Sequence, residues 1–414
     1  MHDPPKFPIS SSSMSSCTAS FCSTDMEEER YASKKRVTSD AQHDLRTDHT
    51  SVEKQSEEME NFGGFYPAAR PPFTLAQLKD AIPKHCFHKN TGVSLLFFFK
   101  DVCMVAFLMS LASLLDTYTP LHYPLYWLLQ GMLLFSTFLI GHDCGHGSFS
   151  DNMFVNHLVG HLAHTFVLVP YHGWRISHIN HHQNHGHADK DEAWHPITEK
   201  LYRSMSHRQK LFRYSPLALL SFPIYLWTRT PGKTGSHFHP NSPLFKRIER
   251  KDVMISTACW VAMLLILLAL CWLFGATWIV KLYLLPYLVS VAWLGGVTYL
   301  QHHGYKHKIP WYRGKEWSYI RGGLSTVDRD LGAVNGLMHS IGTHVVHHLF
   351  PQIPHYHLVE ATKAIEPILG NYYREPEKSG ALPLHLLRTL VTSLQEDHYV
   401  DDEGNVVFYK SGKS

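Results

Sequence analysis

Four stretches of the chain stay apolar for roughly the 20 residues that cross a bilayer as a helix. They lie at about 97–116, 121–140, 254–274 and 276–300. Only Asp116–Pro120 separates the first two, and Gly275 with its neighbours the last two, so each pair predicts a helical hairpin. Two shorter runs, Leu158–Pro170 and Leu217–Trp227, are too brief to span and are expected in the interface or packed under the polar part. The alternative, four core helices of a soluble protein, would bury all these runs against other protein. Ahead of them, residues 1–60 are polar, Ser-rich and then charged, and read as a disordered tail. No apolar run follows the start as in a secretory signal. The membrane domain is expected over 61–400, with a short C-terminal tail at 401–414.

An even number of spans puts the head, the 141–253 loop and the region after Leu300 on one side. That loop is rich in Lys and Arg, whereas the two hairpin connections carry essentially none. The shared side is therefore expected to be cytosolic. With 38 basic against 35 acidic residues, the net charge of +3 implies no pull on nucleic acid. Seven cysteines without a Cys-x-x-Cys pair suggest neither a disulfide framework nor a thiolate zinc site.

The compositional outlier is histidine, at 32 residues. Three clusters fall on the shared side: His142 with His146, His178 with His181 and His182, and His344 with His347 and His348. Residues at i, i+3 and i+4 share one helix face, so each cluster presents its imidazoles together. Eight nitrogen ligands are too many for one tetrahedral zinc and suit two metal ions. Imidazole alone does not choose the metal. A site beside the bilayer points to chemistry on a lipid chain, and because hydrolysis or acid–base catalysis cannot attack an unactivated C–H bond, redox iron with O2 is the natural choice. The runner-up is a histidine-rich membrane metal transporter, but the spans lack the paired polar groups of a path across.

The segments Gly141-His-Asp-Cys-Gly-His-Gly-Ser-Phe-Ser150, Val169-Pro-Tyr-His-Gly-Trp-Arg-Ile-Ser-His178, Pro310-Trp-Tyr-Arg-Gly-Lys-Glu-Trp-Ser318 and His347-His-Leu-Phe-Pro-Gln-Ile-Pro-His-Tyr-His357 carry a resemblance. The chain resembles the membrane-bound fatty acid desaturases, and most closely the plant-type omega-3 group, over roughly 62–409. The resemblance implies an all-α integral membrane fold with four transmembrane helices in two hairpins. A cytosolic helical cap would hold a histidine-rich di-iron centre. It also implies a ninth ligand, His302 with His303 as competitor, and O2 as co-substrate. The implied activity is a cis omega-3 double bond placed in a linoleoyl-type chain of a membrane lipid. No haem-binding His-Pro-Gly-Gly occurs, so electrons would come from a separate donor, a b-type cytochrome, or a ferredoxin in a plastid.

Departures from the family pattern at Ile179, Asn180, Gln301, Tyr305, Gly336, Met338 and Ser340 leave every box histidine in place. They leave open a conjugated, terminal, acetylenic or hydroxylated product. Asp143, Asp189, Asp328, His303 and His339 are candidates to orient the imidazoles, with Asp191, Glu192 and Asp330 beside them. Trp174, Trp194, Trp311 and Trp317 are read as an interfacial belt rather than a tunnel lining. His157, His161, His164, His172, His185, His187, His195, His355 and His357 are assigned to the loops or the surroundings of the centre. The first 25 residues contain one basic residue, Lys6, against a plastid address, so an endoplasmic reticulum membrane is expected.

Overall fold

The computed structural model describes residues 69–412, so the expected head lies outside the described residues. Among the described residues, four helices are long and apolar enough to cross a membrane: Thr91–Leu115, Pro120–His146, Arg247–Phe274 and Ala276–His302. They begin or end beyond the sequence expectation for local reasons. The Asn90 side chain accepts the Val93 N–H at 3.1 Å and starts the first helix well before residue 97. The second runs on through both histidines of the first cluster, until Gly147 ends it at φ 69°.

The second span is the central one, most of it buried inside the protein, whereas the third is largely exposed. It packs on the first and, most extensively, on the fourth. The third leans on two short helices, Met153–Phe166 and Tyr171–Asn184, rather than along the fourth. These short helices meet at 104°, the chain turning where Leu168 takes φ 57°. Phe154, Leu158 and Leu162 remain exposed on the first of them, an apolar stripe suited to a membrane interface. At the opposite end of the spans, Asp116, just after the first span, pairs at 3.2 Å with Lys281, near the start of the fourth.

Among the described residues the fold is mostly helical, and a short two-stranded sheet departs from the all-α expectation. Trp311–Tyr312 (β1) pairs antiparallel with Val406–Val407 (β2). The segment expected as a C-terminal tail is thus built into the body. Val400, Val407 and Tyr409 are buried there with Ala188 and Trp311.

Candidate metal centre

The second span, the fourth span and two short helices deliver the histidine clusters to one place. His142 and His146 lie one turn apart at the end of the second span. His178, His181 and His182 share a face of Tyr171–Asn184, with Trp174 stacked one turn earlier on His178 at 4.4 Å. Helical geometry puts Ile179 and Asn180 about 100° and 200° round from His178, away from that face. His344 caps the helix Val345–Leu349, which carries His347 and His348. The Asp328 carboxylate accepts the backbone N–H groups of His344 at 2.6 Å and Val345 at 2.8 Å, which sets this helix in place. His302 is the last residue of the fourth span.

The imidazoles fall into two adjoining groups. Ring nitrogens of His142, His146, His178, His182 and His347 lie within 4.8 Å of one another, as do those of His181, His302 and His348. His344 joins the second group, its Nε2 being 3.1 Å from His302 and 2.9 Å from His348. His182 stacks on His348 at 4.1 Å and links the two.

Facing nitrogens that are all neutral imidazole cannot all be satisfied by one another. Buried Nε2 atoms of His146 and His347 have no hydrogen-bond partner. Each such orphan costs about 1–3 kcal/mol unless something accepts its lone pair. Burial holds His344, His347 and His348 well below the ordinary imidazole range, so they are unprotonated, the form a metal requires. The donor set therefore fits two nitrogen-ligated metal ions.

Hydrogen bonds behind the rings aim the nitrogens inward. His181 donates Nδ1–H to Asp191 at 2.7 Å, which leaves Nε2 free. Burial alone would raise the Asp191 carboxyl, but His181 and the Trp194 N–H hold it below the usual range. His185 donates Nε2–H to the Tyr319 carbonyl at 2.8 Å, so its Nδ1 accepts from His348 Nδ1 at 3.0 Å. Asp143 serves His142 at 3.4 Å and His355 at 2.8 Å.

Several candidates sit elsewhere. Asp189 pairs with Arg313 at 3.0 Å and orients no imidazole of the centre; Asp191, two residues on, does so instead. Asp328 accepts from backbone N–H groups and the Tyr373 hydroxyl rather than from an imidazole, and Asp330 binds the Gly332 and Ser379 N–H groups. Glu192 forms a fork with Arg229. His303 faces the Tyr409 hydroxyl at 2.8 Å, so His302 is the residue brought to the cluster. His339 lies 2.7 Å from the buried Asp101 carboxylate, outside both groups. Asp101 was missed in the sequence; its signal was a carboxylate at the edge of an apolar run. Nor do the tryptophans form a belt. Trp174 and Trp311 are buried, Trp194 stacks on His302 at 5.7 Å, and Trp317 donates to the His185 carbonyl at 3.0 Å.

A family model described as fatty acid desaturase matches residues 118–377, and one described as a domain of unknown function (DUF3474) matches residues 6–112. The chain is 57% identical to an sn-2 acyl-lipid omega-3 desaturase (ferredoxin), chloroplastic, of Arabidopsis thaliana, covering 86% of the chain and 79% of that relative. It is 56% identical to an omega-3 fatty acid desaturase, endoplasmic reticulum, of Nicotiana tabacum, covering 84% and 91%. A chloroplastic omega-3 fatty acid desaturase of Brassica napus is 56% identical over 84% of the chain and 86% of its own length.

Proposed function

Because the chain belongs to the fatty acid desaturase family, we propose that it inserts a cis omega-3 double bond into a linoleoyl-type chain of a membrane lipid. The observation that carries this reading is the pair of adjoining, largely buried imidazole groups assembled where the second and fourth apolar spans end. His142, His146, His178, His182 and His347 would hold one iron, and His181, His302, His344 and His348 the other. Iron with O2 supplies the oxidising power that acid–base groups lack toward an unactivated C–H bond. In the overall balance, one dioxygen becomes two waters, with two hydrogens (two electrons and two protons) leaving the acyl chain, two electrons from a separate donor protein and two protons from solvent.

The protein's own task is positioning. Asp191, His185 and Asp143 hold ring tautomers, and Asp328 fixes the third box helix. Which carbon is oxidised then depends on which one the protein presents, since a fixed centre acts on what is placed beside it. In this reading the spans pair as two hairpins, and the Asp116–Lys281 ion pair links the end of the first span to the fourth on the side opposite the histidines. The basic 141–253 loop supports a cytosolic histidine side by the positive-inside rule.

Relatives of nearly equal identity carry chloroplast and endoplasmic reticulum names, so identity does not choose the compartment. The decisive experiment is expression in yeast fed linoleate, with double-bond positions read by mass spectrometry. α-Linolenate supports the proposal. A conjugated, hydroxylated or otherwise altered product lacking an omega-3 bond overturns it.

A further inference from the structure

A second set of metal-ligating side chains lies outside the iron centre. The short 3-10 helix Lys84–Phe87 presents His85 and Cys86, and His357 caps the helix Leu358–Leu369, which carries Glu360 in its first turn. One ligand atom from each of the four lies within 4.8 Å of the others. His85 Nε2 is 3.0 Å from the Glu360 carboxylate, and the His85 and His357 rings meet edge to face at 5.5 Å. Apolar packing fixes both carriers: Cys86, Leu78, Ile82 and Phe350 are buried in one cluster with Leu358.

We propose that His85, Cys86, His357 and Glu360 form a separate site for a zinc(II)-class divalent ion, tying the segment before the first span to the helix after the third histidine box. Two imidazoles, one thiolate and one carboxylate match the nitrogen, sulfur and oxygen ligands zinc accepts in four-coordinate sites. With bonds of about 2.0–2.3 Å, tetrahedral ligand atoms stand about 3.4–3.7 Å apart, a modest closure from the spread seen here. Charge also balances, because the dication meets one thiolate, one carboxylate and two neutral rings. The side chains of His85 and Glu360 are 57% and 50% exposed, which gives an aqueous ion a way in, while Cys86 forms the buried floor. On binding, a metal–sulfur bond forms and the thiol proton passes to solvent. Before binding, burial and the facing Glu360 push the Cys86 thiol up to about 11, so the site takes up metal with proton release. Nothing in this site depends on the iron assignment, which uses other residues.

The test uses the full-length protein purified in detergent, titrated with Co2+ alone and then with Zn2+ alone. Cobalt should give a thiolate charge-transfer band and the intense visible spectrum of a tetrahedral ion. Zinc should displace it at one ion per chain, in excess of iron. Cys86→Ser should abolish the band and weaken zinc binding by about 100-fold or more. His357→Gln and Glu360→Gln should weaken it by about 10-fold or more. In all of them, iron content should be unchanged. The proposal fails if the wild type gives no thiolate–cobalt band, or if the band survives in Cys86→Ser. Should Cys86→Ser not fold, the half-buried His357 decides: His357→Gln binding zinc as tightly as wild type overturns the site.

Discussion

Asp191 accepts a 2.7 Å hydrogen bond from Nδ1 of His181, and both groups are buried. The same carboxylate oxygen also accepts the Ala193 and Trp194 N–H groups at 3.0 Å. One side chain thus shapes the loop and fixes the tautomer of a ring in the second imidazole group. Asp191→Asn can keep the loop contacts, since its amide oxygen still accepts, but it loses the charge facing His181. We expect a roughly 10–100-fold loss of activity or iron affinity, with the protein still in the membrane. His181→Ala and His347→Ala, which remove a ring, should abolish activity. Iron content beside turnover in membranes checks this, and wild-type iron and activity in Asp191→Asn would remove its role.

Acid should destabilise the metal-free protein. Burial lowers His344, His347 and His348 in the fold well below their ordinary 6.5, so the unfolded chain binds protons that the folded chain refuses. Stability is therefore full above about pH 6.5 and is lost progressively as pH falls below it. Melting of the chelator-treated protein between pH 8 and pH 5 should drop steadily through the lower half of that range. A flat profile would contradict the burial of neutral rings.

Gly141 leaves no space for a side chain. A Cβ there would stand 2.1 Å from the His164 ring, which donates to the Phe138 carbonyl at 3.0 Å, one turn before His142. Gly141→Ala should cost about 1–3 kcal/mol by overpacking and disturb the first histidine pair. Gly336→Ala, with nothing within 4 Å, should be neutral. Thermal stability in detergent compares the two, and equal melting would refute the steric argument.

Removal of 401–414 should be damaging, whereas deletion of 1–55 should leave turnover intact. Truncation at the C-terminus takes away β2, the Tyr409 hydroxyl on His303 and the Asn405 carbonyl that accepts the Arg313 N–H at 2.8 Å. The buried faces of Ala188 and Trp311 would be exposed to water. Membrane-fraction yield and activity of the two truncations measure this directly.

The sequence by itself determined the features set by local periodicity. Apolar length marked four spans, and i, i+3, i+4 spacing put His178, His181 and His182 on one helical face, which the structure retains. Those properties depend on residues a few positions apart, which a linear pattern contains. The tertiary structure decided which groups stand behind the ligands. Asp189 and Asp191 are equivalent acids in a loop, yet one meets Arg313 and the other His181. His302 and His303 are adjacent, yet the helix end sends one to His344 and the other to Tyr409. Trp194 lies flat on His302, and His85 and Cys86 approach Glu360 across more than 270 positions. Such pairings arise from the relative seating of elements far apart in the chain. Close packing fixes that seating, and no local repeat encodes it.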